Sequence, residues 1–167
     1  MPASIRLVEP ADNEFLAGLE GKAKQPSLFF RAMANRPEVL QSFVPLYSSI
    51  MGRGPVDRRT KELVYLTCAF ANHCAYCSAS HTAGGRKAGV SEEEMAALRA
   101  GQDEAFSAPE RAAIGYAREL TRTANANESR AALRQHFDDA QVVEITLVAA
   151  LANFTNRFNN GLQVLPE

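Results

Sequence analysis

The sequence lacks tryptophan, long apolar runs and any block of basic charge. The apolar run at residues 145–154 is about half of the roughly 20 residues that a membrane-spanning helix needs, so it predicts a buried helix instead. A net charge of −1 without basic clusters argues against nucleic acid or an anionic membrane as a partner. Residues 1–10 contain no apolar signal segment, which leads us to expect a cytoplasmic protein.

Cysteine is scarce as well, with three in 167 residues. A small, odd number argues against the disulfide framework of a secreted protein. Cys74 and Cys77 nevertheless form a Cys-x-x-Cys pair, which in a cytoplasmic protein indicates a redox or metal-binding motif. The reactive site of the chain is therefore expected around this pair.

Alternating strand patterns and glycine-rich phosphate loops are also missing, whereas helix signals recur along the chain. A hydrophobic content of 46% and a charged content of 22% fit one globular domain over residues 1–167. We predict an all-α fold of about eight helices. Residues suited to cap helix starts support this prediction: Asp12 or Asn13, Asp57, Ser91, Ser107 and Asp138.

Three segments carry more specific expectations. Residues 1–10 are predicted to form an irregular arm that lies on a neighbouring subunit. Pro37 should open a helix that Pro45 kinks or ends, with a buried stripe formed by Val39, Leu40, Phe43, Leu46 and Tyr47. The last long helix is apolar on nearly all sides, so we expect it to be buried, partly against another subunit, through Val142, Ile145, Leu147, Val148, Leu151, Phe154 and Phe158.

The candidate chemistry lies between residues 62 and 81. We predict a helix on each side of a break at residues 72–73, which places the cysteine pair at the start of a central helix in an antiparallel pair. Cys74, Cys77 and His81 then share one stripe of that helix. The helix start favours a thiolate at Cys74, and His81 could take the proton of Cys77 or stabilise its anion.

Glu62 is expected to meet His81 through the geometry of this hairpin. Glu62 lies about ten residues, or ~15 Å of helix, before the break, and His81 lies a comparable distance after it. A carboxylate on one imidazole nitrogen would leave the other nitrogen for the thiol, as in a Cys–His–acid triad. The alternative for Glu62 is a solvated charge in the first turn of its helix, where charged residues are dense.

The other reactive side chains have less distinctive settings. Cys68 is turned about 120° from Glu62 on the same helix, so it is predicted to be a small buried residue, with a third redox role as the alternative. His73 is interpreted as a polar turn residue or as a group that tunes the neighbouring thiol. The orientation of Tyr76 stays open, and His136 is expected at the surface.

These motifs together resemble the alkylhydroperoxidase D-like, carboxymuconolactone decarboxylase superfamily. The resemblance rests on Glu-x11-Cys-x2-Cys-x3-His followed by the helix TAGGRKAGVSEEE. It extends to the leading helices at residues 28–52, to ERAAIGYARELT at residues 110–121 and to the closing helix at residues 138–160, which contains Asn156, Arg157 and Phe158. Most of the chain is therefore covered by it.

The resemblance implies a homo-oligomeric antioxidant oxidoreductase that binds no cofactor, reduces hydroperoxides and is re-reduced by a dithiol partner such as a lipoyl group on another protein. It implies that Cys77 is the peroxidatic thiol, that Cys74 is the more exposed resolving thiol, and that Glu62 and His81 form a proton relay. Tyr76 stands where the best-studied peroxidase branch has a histidine, which is typical of the peroxidase-related branch. The decarboxylase branch lacks the cysteine pair, so decarboxylation is disfavoured.

Two other interpretations remain open at this stage. Zinc could be held by Cys74, Cys77 and His81 together with Glu62 or His73, and stoichiometric zinc in chelator-washed protein would favour that reading. The chain could instead be a non-catalytic binding protein whose cysteines form a static disulfide or stay reduced. Thiols of ordinary acidity that do not react with peroxide would favour this second alternative.

Overall fold

The computed structural model describes residues 3–20 and 27–166. Within these ranges the chain forms nine α-helices, two short 3-10 turns and no strand, so the predicted all-α fold is confirmed with one helix more than expected. None of the described helices is long and apolar enough to cross a membrane. The helices are α1 (Glu14–Glu20), α2 (Leu28–Met33), α3 (Pro37–Met51), α4 (Arg58–Ala71), α5 (Ala75–Lys87), α6 (Glu92–Ala100), α7 (Ala108–Thr123), α8 (Arg130–Arg134) and α9 (Asp139–Gly161).

Helix α4 is the most deeply enclosed element. Every residue from Thr60 to Ala69 is buried, and the helix packs against α5, α7 and α9. Its start is fixed by the expected cap, because Oδ1 of Asp57 accepts a hydrogen bond from the backbone N–H of Thr60 across 2.9 Å. This helix therefore carries Glu62 into the interior of the protein.

A tight turn joins α4 to α5 at the predicted break. Asn72 ends α4, and His73 adopts the left-handed backbone conformation with φ of 52°. Cys74 then caps α5, which folds back along α4 with only Cys77, His81 and Gly85 buried. The antiparallel hairpin expected from the sequence is thus present.

Helix α9 packs against α3, α4, α5 and α7 and begins at the expected capping box, in which Asp138 and Gln141 exchange hydrogen bonds. Its apolar residues are not all covered, however. Leu147 and Phe154 are 45% and 49% exposed, and on α3 Val39 and Leu46 are 39% and 54% exposed. The predicted buried stripe on α3 is therefore wrong for Val39 and Leu46 in the single chain, because periodicity identifies an apolar face without identifying what covers it. The expectation that another subunit covers part of α9 stays a prediction for Leu147 and Phe154.

The arm and Pro45 also differ from expectation. Within the described residues the arm lies on its own chain, where the backbone N–H of Ser4 donates to Leu162 O and that of Val8 donates to Arg31 O. Helix α3 runs on through Pro45 to Met51, so this proline marks no helix boundary. The first turns of α3 and α9 therefore start where predicted, while the contacts of the arm do not follow from its sequence.

Candidate redox site

Cys74 and Cys77 are joined by a disulfide, with a Cα–Cα distance of 5.3 Å. Cys74 occupies the N-cap position of α5, and its Sγ accepts a hydrogen bond from the backbone N–H of Cys77 across 3.3 Å. The two side chains are nearly inaccessible, at 1% and 3% exposure. The expectation that Cys74 is the more exposed thiol is therefore not met in this oxidised state, in which both sulfurs are enclosed.

The carboxylate of Glu62 lies against His81 as the hairpin geometry predicts. Nδ1 of His81 and Oε2 of Glu62 are 2.7 Å apart, and Glu62 is completely buried, which rules out the alternative of a solvated charge. The guanidinium of Arg58, one turn earlier on α4, forms an ion pair with Oε1 across 2.5 Å. Burial by itself would raise the pKa of Glu62, but the hydrogen bond and charge of His81, together with Arg58, hold this pKa below its usual value.

The ionised state of Glu62 sets the tautomer of His81. A carboxylate can only accept, so Nδ1 carries the proton and Nε2 is left as the acceptor. The hydroxyl of Tyr47 lies 3.4 Å from Nε2. Burial raises the pKa of Tyr47 to about 12, so this hydroxyl stays protonated and donates. The imidazole also stacks on the ring of Tyr65, with the two ring centres 3.4 Å apart.

Cys77 receives its hydrogen bond from an unexpected residue. Nδ2 of Asn159, on α9, lies 3.3 Å from Cys77 Sγ. Among the described residues His81 makes no hydrogen bond to this sulfur, so the predicted direct contact between His81 and Cys77 is wrong for the oxidised state. The physical reason is that the ring of His81 is held between Glu62 and Tyr47, which fixes both of its nitrogens.

Cys77 and His81 still meet at one cavity of about 210 Å³. The cavity wall carries five aromatic rings and several polar groups, and its lining consists of Ser27, Phe29, Phe30, Tyr47, Tyr65, Tyr76, Cys77, Ser80, His81, Thr155 and Asn159. A small molecule in this cavity would contact the sulfur and the imidazole together. The arrangement suits chemistry on an apolar molecule with one reactive polar group.

Cys74 faces a different and more open groove. That groove holds about 700 Å³ and shares no lining residue with the cavity. Its lining includes Arg86, which is paired with Glu92, and Arg99, whose guanidinium lies 4.7 Å above the ring of Phe70. The two residues of one disulfide thus line two separate spaces.

The remaining reactive side chains differ in their distance from this site. Cys68 is fully buried, and burial raises the pKa of its thiol to about 11, which agrees with the predicted structural role. His73 and His136 are exposed. Tyr76 lines the cavity, and its hydroxyl accepts a hydrogen bond from the backbone N–H of Phe29 across 3.4 Å, which answers the question that the sequence left open.

Gly84 provides the space for the Glu62 carboxylate. A Cβ atom at residue 84 would lie 2.7 Å from Oε1 of Glu62, which is closer than Cβ atoms approach other heavy atoms in proteins. The position was recognisable in principle, because residue 84 follows His81 by three and so faces α4 as His81 does. Tyr47 and Asn159 gave no such signal, since they reach the site from helices distant in sequence.

A metal centre finds less support in this geometry. Within residues 3–20 and 27–166 no three side chains of His, Cys, Asp or Glu are gathered in an arrangement that could hold a metal ion. His81 and Glu62 bind each other, and the two sulfurs are joined. The donor set proposed for zinc is therefore engaged in other contacts.

Comparisons with known proteins agree with this fold. The model of the Carboxymuconolactone decarboxylase family matches residues 37–119, which include α3 to α6 and most of α7. The uncharacterised protein YdfG of Bacillus subtilis (strain 168) is 30% identical over 108 residues, which cover 62% of this chain and 74% of that protein.

Solved structures show the same fold at lower identity. An uncharacterised peroxidase-related protein from Ralstonia eutropha JMP134, described as an alkylhydroperoxidase AhpD core, has a TM-score of 0.88 at 21% identity over all of this chain and 93% of that one. The debrominase Bmp8, in complex with 2,3,4-tribromopyrrole, has a TM-score of 0.83 at 18% identity over 96% and 90% of the two chains. With the fold, the family match and the YdfG relative in agreement, the chain belongs to the carboxymuconolactone decarboxylase family and has the alkylhydroperoxidase D-like fold.

Proposed function

We propose that the protein is a thiol-dependent hydroperoxide reductase. The observation that carries this proposal is the shared cavity, which brings the sulfur of Cys77 and the imidazole of His81 to one small apolar space. A hydroperoxide is an apolar body with one reactive O–O group, so it matches such a space. The disulfide between Cys74 and Cys77 is the oxidised state that this chemistry would produce.

In the proposed reaction the Cys77 thiolate attacks the terminal oxygen of the hydroperoxide. The O–O bond breaks, the sulfur becomes a sulfenic acid, and the departing alkoxide takes a proton to leave as an alcohol. We assign this proton to His81: its Nε2 takes the proton of the Cys77 thiol before the attack, Glu62 stabilises the resulting imidazolium at Nδ1, and the imidazolium then returns the proton to the alkoxide. Cys74 then attacks the sulfenic sulfur, the S–O bond breaks, and water leaves as the disulfide forms.

A dithiol partner is proposed to reopen the disulfide from the groove at Cys74. A thiolate of the partner attacks the sulfur of Cys74, and Cys77 leaves as a thiolate. The second thiol of the partner then resolves the mixed disulfide, which releases Cys74 and leaves the partner oxidised. Arg99 borders this groove and favours a partner with an acidic surface around its dithiol, whereas the charge of Arg86 is paired with Glu92.

Exposed apolar residues support a homo-oligomer. Leu46 on α3 and Leu147 and Phe154 on α9 are about half exposed, and the two helices pack side by side with the rings of Phe43 and Phe154 stacked. Exposed apolar residues that cluster on adjoining helices are typical of an interface. A second copy of the chain is the proposed occupant, because the expected symmetric assembly covers the same patch on both subunits.

The aromatic wall of the cavity also favours a second candidate, reductive removal of halogen from a halogenated aromatic ring. Phe29, Phe30, Tyr47, Tyr65 and Tyr76 could enclose a flat ring. The two thiols would supply two electrons, so that a carbon–halogen bond is replaced by carbon–hydrogen, halide leaves and the disulfide forms. The fold shared with a debrominase makes this candidate worth the same assay.

The decisive experiment follows single turnover of the pre-reduced protein. Hydrogen peroxide, tert-butyl hydroperoxide, cumene hydroperoxide and a brominated pyrrole are offered separately, and mass spectrometry monitors the bridge between residues 74 and 77. Consumption of a hydroperoxide with one disulfide formed per molecule supports the proposal. Disulfide formation with the brominated pyrrole alone supports the second candidate, and no oxidation by any of them refutes both.

The reductant is tested in the same system by steady-state turnover. Dihydrolipoyl, thioredoxin-like and glutathione reductants are compared, each at low and high salt. Turnover with an acidic dithiol protein should fall as the ionic strength rises, because salt screens the attraction to the basic groove. A salt-independent rate, or a preference for glutathione, would contradict the proposed docking at Arg99.

A further inference from the structure

Asn159 makes the side-chain hydrogen bond to the sulfur of Cys77. Its Nδ2 lies 3.3 Å from Sγ, and its side chain is 1% exposed. A carboxamide N–H so shielded from water interacts strongly with a charged acceptor, since the local dielectric constant is low. The contact therefore has its greatest effect when the sulfur is a thiolate.

The position of Asn159 is held by the end of α9. Its backbone oxygen accepts a hydrogen bond from Val164 N–H across 2.9 Å. One turn earlier, Oδ1 of Asn156 accepts a hydrogen bond from Nδ2 of Asn72 in the turn between α4 and α5. The helix that carries Asn159 is thus tied to the turn that carries the cysteines.

The carboxamide oxygen of Asn159 points to the same role. Oδ1 is buried and has no hydrogen-bond partner among the described residues. Leaving a buried polar atom unpaired costs free energy, so the residue is poorly suited to a packing role alone. Asn159 also lines the cavity that contains Cys77.

We propose that Asn159 is a catalytic residue that stabilises the Cys77 thiolate through its carboxamide N–H in both halves of the cycle. This inference rests on the proposed function for its place in a reaction. In the oxidising half the thiolate is the attacking group. In the reducing half, when an external thiolate bonds to Cys74 and the disulfide breaks, the Cys77 thiolate is the leaving group, and a stabilised thiolate leaves faster.

The test measures ionisation of Cys77 without any peroxide. Cys77 is studied in the Cys74→Ser background, and the rate of its alkylation by iodoacetamide is followed against pH. Cys68 should not contribute to the measured alkylation, because burial raises the pKa of its thiol to about 11. Asn159→Leu removes the donor at similar volume, and Asn159→Asp replaces it with an acceptor of the same shape.

Both substitutions should move the midpoint of the pH profile upward, by about one pH unit for Asn159→Leu, so that the thiolate is about tenfold scarcer below the midpoint. Thr146→Val is the matched control, because it removes a partly buried polar group from the same helix, thirteen residues before Asn159, where the hydroxyl bonds with Tyr116 and not with the cysteine turn. Its midpoint should equal that of the Cys74→Ser parent. If both residue-159 variants have the same midpoint as the Cys74→Ser parent, the inference is overturned.

A measurement on the Cys74→Ser parent needs no change at residue 159. In NMR spectra of ¹⁵N-labelled protein, the chemical shifts of the Asn159 side-chain amide should change with pH at the same midpoint as the alkylation profile. Chemical shifts that stay constant across that pH range would also overturn the inference. Failure of the proposed function looks different. A protein that reduces no hydroperoxide but shows these shifts retains the Asn159 contact and loses only the assigned reaction.

Discussion

Glu62 and His81 are nineteen residues apart in sequence, yet Oε2 of the first lies 2.7 Å from Nδ1 of the second. The carboxylate is fully buried, and Arg58 holds its other oxygen. A charge buried this deeply is tolerated because it is paired on both sides. The pair therefore has one defined arrangement, in which the imidazole offers Nε2 toward Tyr47 and the cavity.

Glu62→Gln tests the contribution of this carboxylate to activity. The amide is nearly the same shape but cannot stabilise an imidazolium, so the rate of peroxide-driven disulfide formation should fall by on the order of 10²-fold. Stopped-flow single turnover measures it. Glu94→Gln is the control, since Glu94 pairs with Arg59 away from the cavity, and its rate should stay close to that of the parent. If Glu62→Gln forms the disulfide as fast as Glu94→Gln, Glu62 is not part of the proton relay.

The same residue makes a pH-dependent contribution to stability. Folding lowers the pKa of Glu62, so the ionised carboxylate stabilises the folded protein above the ordinary glutamate pKa. That stability is lost as the pH falls below about 4.3, toward the lower pKa of the folded state. Thermal unfolding of the parent and of Glu62→Gln should therefore differ most at neutral pH and converge on acidification. A constant difference from neutral to acidic pH would contradict the lowered pKa.

The register of Glu62 and His81 could be predicted from sequence because both belong to one helical hairpin. The cap at Asp57 and the break at His73 set where the two helices begin and end. The rise per residue then places Glu62 and His81 at the same level of the hairpin. Tyr47 and Asn159 could not be placed in this way. They reach His81 and Cys77 from 34 and 82 residues away, and their approach depends on how α3 and α9 cross the hairpin.

The exposed apolar face shows a second limit of sequence patterns. Leu40 and Leu46 lie on the same helix and are both apolar, but Leu40 is fully buried and Leu46 is about half exposed. A pattern of apolar spacing predicts a face that avoids water, and it does not say whether the same chain or another one covers that face. The direct contact expected between His81 and Cys77 failed for a related reason, since spacing cannot tell which neighbour occupies a ring nitrogen.

Gly84→Ala should disturb Glu62 without unfolding the protein. The added Cβ would lie 2.7 Å from Oε1, so the carboxylate must shift from its place between Arg58 and His81. We expect the single-turnover rate to fall about tenfold or more, because misplacement by about 1 Å can cost 10²-fold. Gly115→Ala is the matched control, a glycine within α7 with no atom near the added carbon. It should keep its activity and gain about 0.5–1 kcal/mol of stability from helix propensity.

Substitutions of the three cysteines should differ in their effect on steady-state turnover. Cys74→Ser and Cys77→Ser are each expected to abolish steady-state reduction of hydroperoxide, since neither variant can form the disulfide. Cys68→Ser should retain turnover, because this thiol is fully buried and its pKa is raised to about 11, which leaves almost no thiolate at neutral pH. Coupled consumption of peroxide and reductant provides the measurement. Full turnover in either motif variant would exclude the cycle through the disulfide.

Leu147→Glu tests whether a second copy of the chain covers the exposed face of α3 and α9. Leu147 is 45% exposed, and a charge there would be buried without a partner in the proposed interface. Burying one leucine contributes about 1.5–3 kcal/mol and a symmetric interface contains it twice, so association should weaken on the order of 10²-fold or more. Light scattering and sedimentation across a dilution series measure the loss. Ala96→Glu adds the same charge at an exposed site on α6 and should leave the assembly intact. If both variants keep the mass of the parent, the apolar face of α3 and α9 is not the contact between subunits.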